Sequence, residues 1–311
     1  MNDNDTQEFR VSIPTDKDGL TSRQCPKCQA YFKIRFGTGL KGKDLPCHCP
    51  YCGRTGEPSS FHTKEQVEYA RSVVLNQVTQ DLLDRLKEME FDHPAQGAFG
   101  IGVSMKVRGE PHPIHYYRDK QLETQIICDS CTLLYAIYGV FAFCPDCGVH
   151  NSLQILNKNF EIIEKEINLA GTVESDLAEH LIGDALENVV SAFDGFGRSV
   201  CRAFSTRASA PSKAENISFQ NLNGGKKRVQ DLFGFDLNVC VTPDEWDSAI
   251  RGFQKRHLIT HKMGIVDAEY LSETRDPQAA VGRKVSLTPD EVKALIGIVQ
   301  KLGTYLYQKL Q

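Results

Sequence analysis

Four CxxC pairs constrain this chain more than any other feature of its sequence. They use eight of the eleven cysteines: Cys25 and Cys28, Cys49 and Cys52, Cys128 and Cys131, and Cys144 and Cys147. Disulfide frameworks are typical of small secreted chains, whereas this chain of 311 residues opens with a polar, acidic segment that lacks the basic and apolar parts of an export signal. The cysteines are therefore interpreted as metal ligands in a cytoplasmic protein.

The spacing of the pairs groups them into two zinc ribbons. In the first ribbon, residues 25–28 (CPKC) are joined to residues 49–52 (CPYC) through a strand-like YFKIRF segment and a turn-like GTGLKGK segment. Residues 128–131 (CDSC) and 144–147 (CPDC) repeat the pattern around a shorter insert that is rich in aromatic and β-branched residues. Paired CxxC knuckles at this spacing predict a metal site in each ribbon.

Zinc is the metal that such a ligand set favours. Four thiolates complete the tetrahedral shell of Zn²⁺ and leave no open position, so we expect two structural sites and no metal chemistry. Cys47 lies two residues before Cys49 and could replace it as a ligand, although only Cys49 preserves the CxxC knuckle.

The composition changes along the chain and predicts a multidomain α+β protein. After residue 150 the cysteine pairs stop, and apolar residues recur at the spacing of helices. The predicted organisation is a first zinc ribbon at 1–62, a connecting helix at 63–97, a β segment with the second ribbon at 98–160, and an all-α four-helix bundle at 174–311.

Three threonines mark the starts of helices. Thr63, Thr242 and Thr288 are each followed three residues later by glutamine or glutamate, which is the pattern of a capping box. Proline directly follows Thr242 and Thr288, at the first helical position where its missing N–H costs nothing. No stretch of the chain is apolar for long enough to predict a membrane span.

The net charge limits how this chain could bind nucleic acid. A formal charge of −4 argues against a broad basic surface, so any contact with nucleic acid is expected to be local. The first ribbon offers Lys33 and Arg35 beside aromatic residues, which suits phosphate contact and base stacking. Small ribbons are also basic simply because most of their residues are at the surface. The second ribbon, with two aspartates and no lysine or arginine, is interpreted as a spacer or protein-contact module.

The helix predicted at 243–263 ends in FQKRHLITHKMG, which concentrates cations and imidazoles: Lys255, Arg256, His257, His261 and Lys262. Such a patch would attract a phosphate. Two other interpretations remain open. Cations at the end of a helix complement its dipole, and histidines at i and i+4 can bind a metal, although no third ligand is near them in sequence.

Residues 256–261 (RHLITH), with the segment KMGIVDAEYL that follows, resemble the Arg-x4-His motif of HEPN domains. The resemblance covers roughly residues 174–311 and includes the order of the helices. It implies an all-α bundle whose third helix carries the motif near its end. Many HEPN domains are metal-independent endoribonucleases of defence and toxin systems, with active sites formed where two copies pair, whereas others only bind.

The resemblance implies that Arg256 stabilises charge on a phosphate, that His261 acts as general acid or base, and that His257 assists. These roles agree with the chemistry of a guanidinium and of an imidazole that titrates near neutrality. The expected function is RNA cleavage by 2′-hydroxyl attack in a homodimer or larger homo-oligomer, with Lys255 and Lys262 contacting the RNA. A neutralising or triggering protein is a further expected partner. The alternative is a non-catalytic nucleic-acid-binding sensor or regulator with structural zinc.

Overall fold

The computed structural model describes residues 9–40, 45–93, 103–122 and 124–311. The chain forms two compact units. The first, here called the N-terminal unit, ends at Gly139 and also takes in Phe143–Val149, and the second, the helical unit, comprises Val140–Ala142 and His150–Gln311. This confirms the α+β class. None of the helices in the described ranges combines the length and the apolar character needed to cross a bilayer.

The described part of the N-terminal unit contains short strands and one long helix. The elements are β1 (Thr21–Gln24), β2 (Tyr31–Ile34), β3 (Cys47–His48), β4 (Thr55–Gly56), α1 (Lys64–Lys87), β5 (Phe91–His93), β6 (Val103–Met105), β7 (Thr124–Ile127) and β8 (Leu134–Ile137). A short 3-10 helix, Pro58–Phe61, precedes α1. Helix α1 begins at the predicted capping box of Thr63, whose hydroxyl accepts the amide of Gln66.

The central sheet of this unit joins the two predicted ribbons. Its strand order is β1-β2-β8-β7, and all three pairings are antiparallel. The first CxxC loop connects β1 to β2, and the third connects β7 to β8. The sequence predicts two ribbon modules without indicating whether they touch each other, and the structure pairs β2 with β8 across them. An isolated two-stranded hairpin is only marginally stable in water, so the pairing gives each ribbon the partner that it needs.

The helical unit consists of seven helices: α2 (Ser152–Ala170), α3 (Ser175–Ala203), α4 (Pro211–Ala214), α5 (Leu222–Phe233), α6 (Pro243–Lys262), α7 (Ala268–Thr274) and α8 (Pro289–Leu310). Short 3-10 helices occupy Ser205–Arg207 and Leu237–Cys240. Helices α6 and α8 begin at the predicted capping boxes of Thr242 and Thr288.

Aromatic residues fill the centre of the helical unit. The ring of Phe193 on α3 meets the rings of Phe219 and Phe253 edge to face, with centroids 5.7 and 6.2 Å apart. All three side chains are buried. Gly303 allows α8 to approach closely, because a Cβ atom there would lie 2.8 Å from a methyl carbon of Leu156 on α2. Side chains of this size each contribute several kcal/mol when fully buried, roughly 3–5 by truncation of phenylalanine to alanine.

Helix α2 differs from the sequence prediction. The sequence pattern assigns residues 151–160 to the second ribbon and predicts that the helical domain starts at residue 174, but α2 packs against α3 and α8 as part of the helical unit. Its buried residues Leu156, Phe160, Ile163 and Ile167 recur at helical spacing. The periodicity was therefore present in the sequence, immediately after the last cysteine pair.

Candidate metal centres and the candidate catalytic helix

The eight cysteines of the CxxC pairs converge into two clusters, as the spacing predicts. Cys25, Cys28, Cys49 and Cys52 form the first cluster, and Cys128, Cys131, Cys144 and Cys147 form the second. Within each cluster all four sulfur atoms lie within 4.8 Å of one another. All eleven cysteines are free thiols, so neither cluster is a pair of disulfides.

The spacing of the sulfur atoms fits a tetrahedral metal ion. The Sγ atoms of Cys25 and Cys52 are 3.8 Å apart, and those of Cys28 and Cys49 are 3.6 Å apart. The corresponding distances in the second cluster are 3.7 and 3.5 Å. An ion bound at about 2.3 Å by four thiolates has sulfur atoms about 3.8 Å apart, so both clusters need little adjustment to hold one.

All four CxxC loops have the same backbone geometry. In the first loop the amide of Cys25 donates to the carbonyl of Ala30, and the carbonyl of Cys25 accepts the amide of Gln29. The same two bonds recur in the other three loops. The residue that follows the second cysteine has a positive φ in each loop: Gln29, Gly53, Thr132 and Gly148, at 59°, 65°, 64° and 69°. The glycines in the CPYCG and CPDCG segments meet this requirement directly.

Cys47 lies outside both clusters. It is buried on β3, and its Sγ atom contacts the carbonyl of His48 at 4.0 Å. Cys49, in contrast, contributes its Sγ atom to the first cluster. The structure therefore selects Cys49 as the ligand, as the CxxC pattern indicated.

Helix α6 presents His257 and His261 as a pair one turn apart. Their ring centroids are separated by 4.9 Å, and His261 is exposed to solvent. Partial burial, followed by the charges of His261 and Lys262, lowers the pKa of His257 below its ordinary value. The neutral imidazole is therefore favoured at His257, which can accept a proton at neutral pH.

Arg256 has a different environment. Its side chain is only 7% exposed, and its Nε atom lies 3.6 Å from Oε2 of Glu187 on α3. The same carboxylate accepts the hydroxyl of Thr260 at 2.7 Å. Residues five apart on a helix point roughly 140° away from each other, so α6 does not direct Arg256 and His261 to one place. Within the single chain, Arg256 and His261 therefore do not converge on one site.

The two lysines predicted to contact RNA beside this motif have acidic partners. Lys255 is buried, and its ammonium donates to the carbonyl of Ser286 at 2.7 Å and to the carboxylate of Glu291 at 2.6 Å. Lys262 forms ion pairs with Asp267 and Glu269. The end of α6 is thus not the unbalanced positive patch that its local sequence indicated, because the carboxylates come from segments that follow or pack against it.

A groove of about 970 Å³ lies between α3 and the end of α6, and Glu187 and Thr260 line it. Four carboxylates contribute to its wall: Asp176, Glu179, Asp184 and Glu187. His257 and His261 are not among its lining residues. The groove wall therefore carries more negative than positive charge, since Lys284 is the one lysine among its lining residues.

The predicted nucleic-acid contacts of the first ribbon separate into one buried and one exposed residue. Lys33 on β2 is buried and pairs with Asp16, with 2.7 Å between Nζ and Oδ2. Arg35 is exposed, as is Phe36 after it. Sequence reasoning missed the partners Asp16, Glu187 and Glu291, because charge pairs between distant segments leave no local pattern. Comparison of the chain with protein families, with curated proteins and with solved structures gives no match.

Proposed function

We propose that the helical unit is a metal-independent endoribonuclease in which His257 and His261 carry out the proton transfers, and that the N-terminal unit is a structural module holding two Zn²⁺ ions. The observation that carries the catalytic part is the imidazole pair on α6, with ring centroids 4.9 Å apart. The observation that supports the zinc part is the pair of four-cysteine clusters.

Two neighbouring imidazoles supply what RNA cleavage without a metal requires. The 2′-oxygen attacks phosphorus while the bond from phosphorus to the 5′-oxygen breaks, leaving a 2′,3′-cyclic phosphate and a free 5′-hydroxyl. One group must take the proton of the 2′-hydroxyl, and another must give a proton to the leaving 5′-oxygen. The lowered pKa of His257 suits the base, and His261, which is exposed beside it, is assigned as the acid.

Arg256 keeps the phosphate-stabilising role in this proposal. A guanidinium is permanently charged and can bind two phosphate oxygens at once. Because the side chain is 7% exposed and faces Glu187, that role requires it to turn away from α3 when RNA binds or when two copies pair. A homodimer with a composite site would also bring Arg256 of one copy towards an imidazole of the other.

The burial of Arg256 favours the second candidate, a nucleic-acid-binding sensor or regulator without cleavage. Arg256, Lys255 and Lys262 each have a carboxylate partner, so the motif also serves to hold α6 in place. In this alternative the same surface binds RNA or a protein, and the histidines do no chemistry. A neutralising or triggering protein partner and a role in prokaryotic defence belong to the proposal through the HEPN resemblance alone.

Cleavage of labelled RNA by the purified full-length chain in magnesium-free buffer with EDTA distinguishes the two candidates. We expect cleavage to produce cyclic phosphate ends, and we expect RNA with 2′-O-methyl groups to remain intact. His257→Ala and His261→Ala should each reduce the rate by about 10²-fold or more, the contribution of a general acid or base.

His180→Ala is the matched control, because His180 is an exposed histidine on α3 whose side chain is 72% accessible and which takes no part in the pair. This variant should cleave at the wild-type rate. RNA binding without cleavage by the wild type would leave only the binding function. Cleavage that survives loss of both histidines would instead rule out the proposed roles of the imidazole pair. Arg256→Lys then tests whether a charge alone suffices at that position.

A further inference from the structure

The two cysteine clusters are related by an approximate twofold repeat that extends to individual hydrogen bonds. Lys33 lies five residues after Cys28, and Ala136 lies five residues after Cys131, so the two residues hold equivalent positions in the two ribbons. They are directly paired where β2 meets β8. An antiparallel pairing centred on equivalent positions is what a twofold axis between two copies of one motif produces. The ribbons therefore meet as equivalent halves.

The second CxxC knuckle of each ribbon, at residues 49–52 and 144–147, is joined to the other by a reciprocal pair of backbone hydrogen bonds. The amide of His48 donates to the carbonyl of Pro145 at 2.7 Å, and the amide of Phe143 donates to the carbonyl of Pro50 at 2.8 Å. His48 and Phe143 occupy equivalent positions, directly before a ligand, and the two prolines directly follow the same ligands. Each of these ligands, Cys49 and Cys144, is thus flanked on both sides by residues bonded to the other ribbon.

Side chains repeat this exchange between the halves. The ring of Phe143 covers Gly53, and the ring of His48 covers Gly148, where an added Cβ atom would lie 3.3 and 3.1 Å from the respective rings. These glycines follow the last ligand of each cluster. A side chain at either glycine would displace the ring that covers it. The two second knuckles therefore have complementary surfaces.

The third residue of each second knuckle also reaches across to the other ribbon. Oδ2 of Asp146 accepts the amide of Leu40 at 3.0 Å. At the equivalent position, the hydroxyl of Tyr51 accepts the amide of Tyr138 at 2.9 Å and donates to the carbonyl of Tyr31 at 2.7 Å. The acidic character that the sequence assigned to the surface of the second ribbon is, at Asp146, part of this junction.

We infer that the two four-cysteine sites load metal as a single unit, with binding at one site increasing the affinity of the other. Without a bound metal, the backbone of a second knuckle is no longer fixed by its cysteines. The hydrogen bonds that this backbone makes to the second knuckle of the other ribbon are then weakened as well. The free energy needed to order both ribbons is therefore taken from the binding of the first metal ion, and the second ion binds to a site that is already formed. This inference rests on the two zinc sites proposed for the N-terminal unit and does not depend on RNA cleavage.

The test is a zinc titration of the reduced, metal-stripped full-length chain, followed by native mass spectrometry. Independent sites of equal affinity give about half of the chains with one ion at half saturation, and sites of unequal affinity give more than half. A tenfold coupling lowers the one-ion fraction to about a quarter. We expect a quarter or less in the wild type; a fraction of one half or more would overturn the inference.

Tyr51→Phe tests the junction itself, because it removes a bridging hydroxyl without changing any ligand. We expect the one-ion fraction of this variant to rise above the wild-type value. The matched control is Tyr138→Phe, since among the described residues Tyr138 donates to the junction through its backbone amide and its side chain is exposed. This control should titrate as the wild type does, and an equal rise in both variants would contradict the role of the Tyr51 hydroxyl.

Discussion

The guanidinium of Arg256 faces the carboxylate of Glu187, with 3.6 Å between Nε and Oε2. The Nε atom is buried and makes no hydrogen bond within the described part of the chain. Glu187 is therefore the charge that compensates a cation held between α3 and α6, and it also accepts the hydroxyls of Thr260 and Ser191. A residue of the candidate catalytic motif thus contributes to the packing of the two helices.

Glu187→Gln should destabilise the helical unit. Removing one partner of a buried pair leaves an uncompensated charge, which costs roughly 3–5 kcal/mol at a fully buried site. The Glu187 side chain is 39% exposed, so solvent reduces the effect, and we expect a loss of about 1–2 kcal/mol. Urea unfolding followed by the fluorescence of Trp246 measures this loss, because Trp246 is the single tryptophan of the chain and lies on α6.

Glu179→Gln is the control for this prediction. Glu179 lies two turns earlier on α3 and pairs with Lys284, but both side chains are 63% exposed. An exposed pair contributes about 0–1 kcal/mol, so this variant should unfold close to the wild type. Equal losses in the two variants would show that burial of Arg256 plays no special part.

Cys47→Ala should leave the metal content unchanged, whereas Cys49→Ala should lower it. Cys47 lies outside both clusters, and Cys49 contributes one of four sulfur atoms to the first. We expect about two zinc equivalents per chain in the wild type and in Cys47→Ala, measured by elemental analysis after gel filtration. Metal lost from Cys47→Ala but retained by Cys49→Ala would reverse the assignment.

Local patterns in the sequence predicted the local features of this structure. The CxxC spacing identified both clusters, and the threonine patterns identified the starts of α1, α6 and α8. A capping box and a single CxxC knuckle each involve residues only three positions apart, and the two knuckles of each cluster lie within about 30 residues of each other.

Features that join distant segments could not be predicted in the same way. Pairing of β2 with β8 brings together residues about 100 positions apart, and nothing in either strand specifies the other. The same holds for Glu187, which the sequence places 69 positions before Arg256 and which makes that arginine a buried group. The positive patch predicted at the end of α6 rests on the sequence of that helix alone, and carboxylates from other segments pair with its cations.

Thr132→Gly should stabilise the N-terminal unit. Thr132 has a φ of 64°, and a β-branched residue is strained in this left-handed region, whereas Gly148 occupies the corresponding place in the next knuckle at 69°. Strain of this kind costs on the order of 1 kcal/mol. Glycine relieves the strain, but it also loses more conformational entropy on folding than threonine does, which offsets part of the gain. We expect a rise of about 0.5–1 kcal/mol in the free energy of unfolding. Thr132→Ala, which keeps a Cβ atom at the same φ, should gain less, and an equal gain would show that the Cβ atom is not the cause.

His150 should make the helical unit sensitive to acid. It is buried, and its amide and carbonyl both contact the hydroxyl of Tyr307, at 3.2 and 3.1 Å. Burial lowers the pKa of His150 from 6.5 to about 4, so the folded state keeps the imidazole neutral at pH values where the unfolded chain protonates it. The unfolded state then binds more protons between these two pKa values, and the free energy of unfolding falls as the pH is lowered through that window.

Between about pH 7 and about pH 5 this one group should remove roughly 2 kcal/mol from the stability of the helical unit. His150→Gln keeps a polar side chain but cannot titrate, so its free energy of unfolding should change less over the same interval. Urea unfolding followed by Trp246 fluorescence separates this effect from acid loss of metal in the N-terminal unit, because the fluorophore lies in the helical unit. Parallel losses in the wild type and in His150→Gln would assign the acid sensitivity to other groups, since the difference between the two proteins isolates the imidazole.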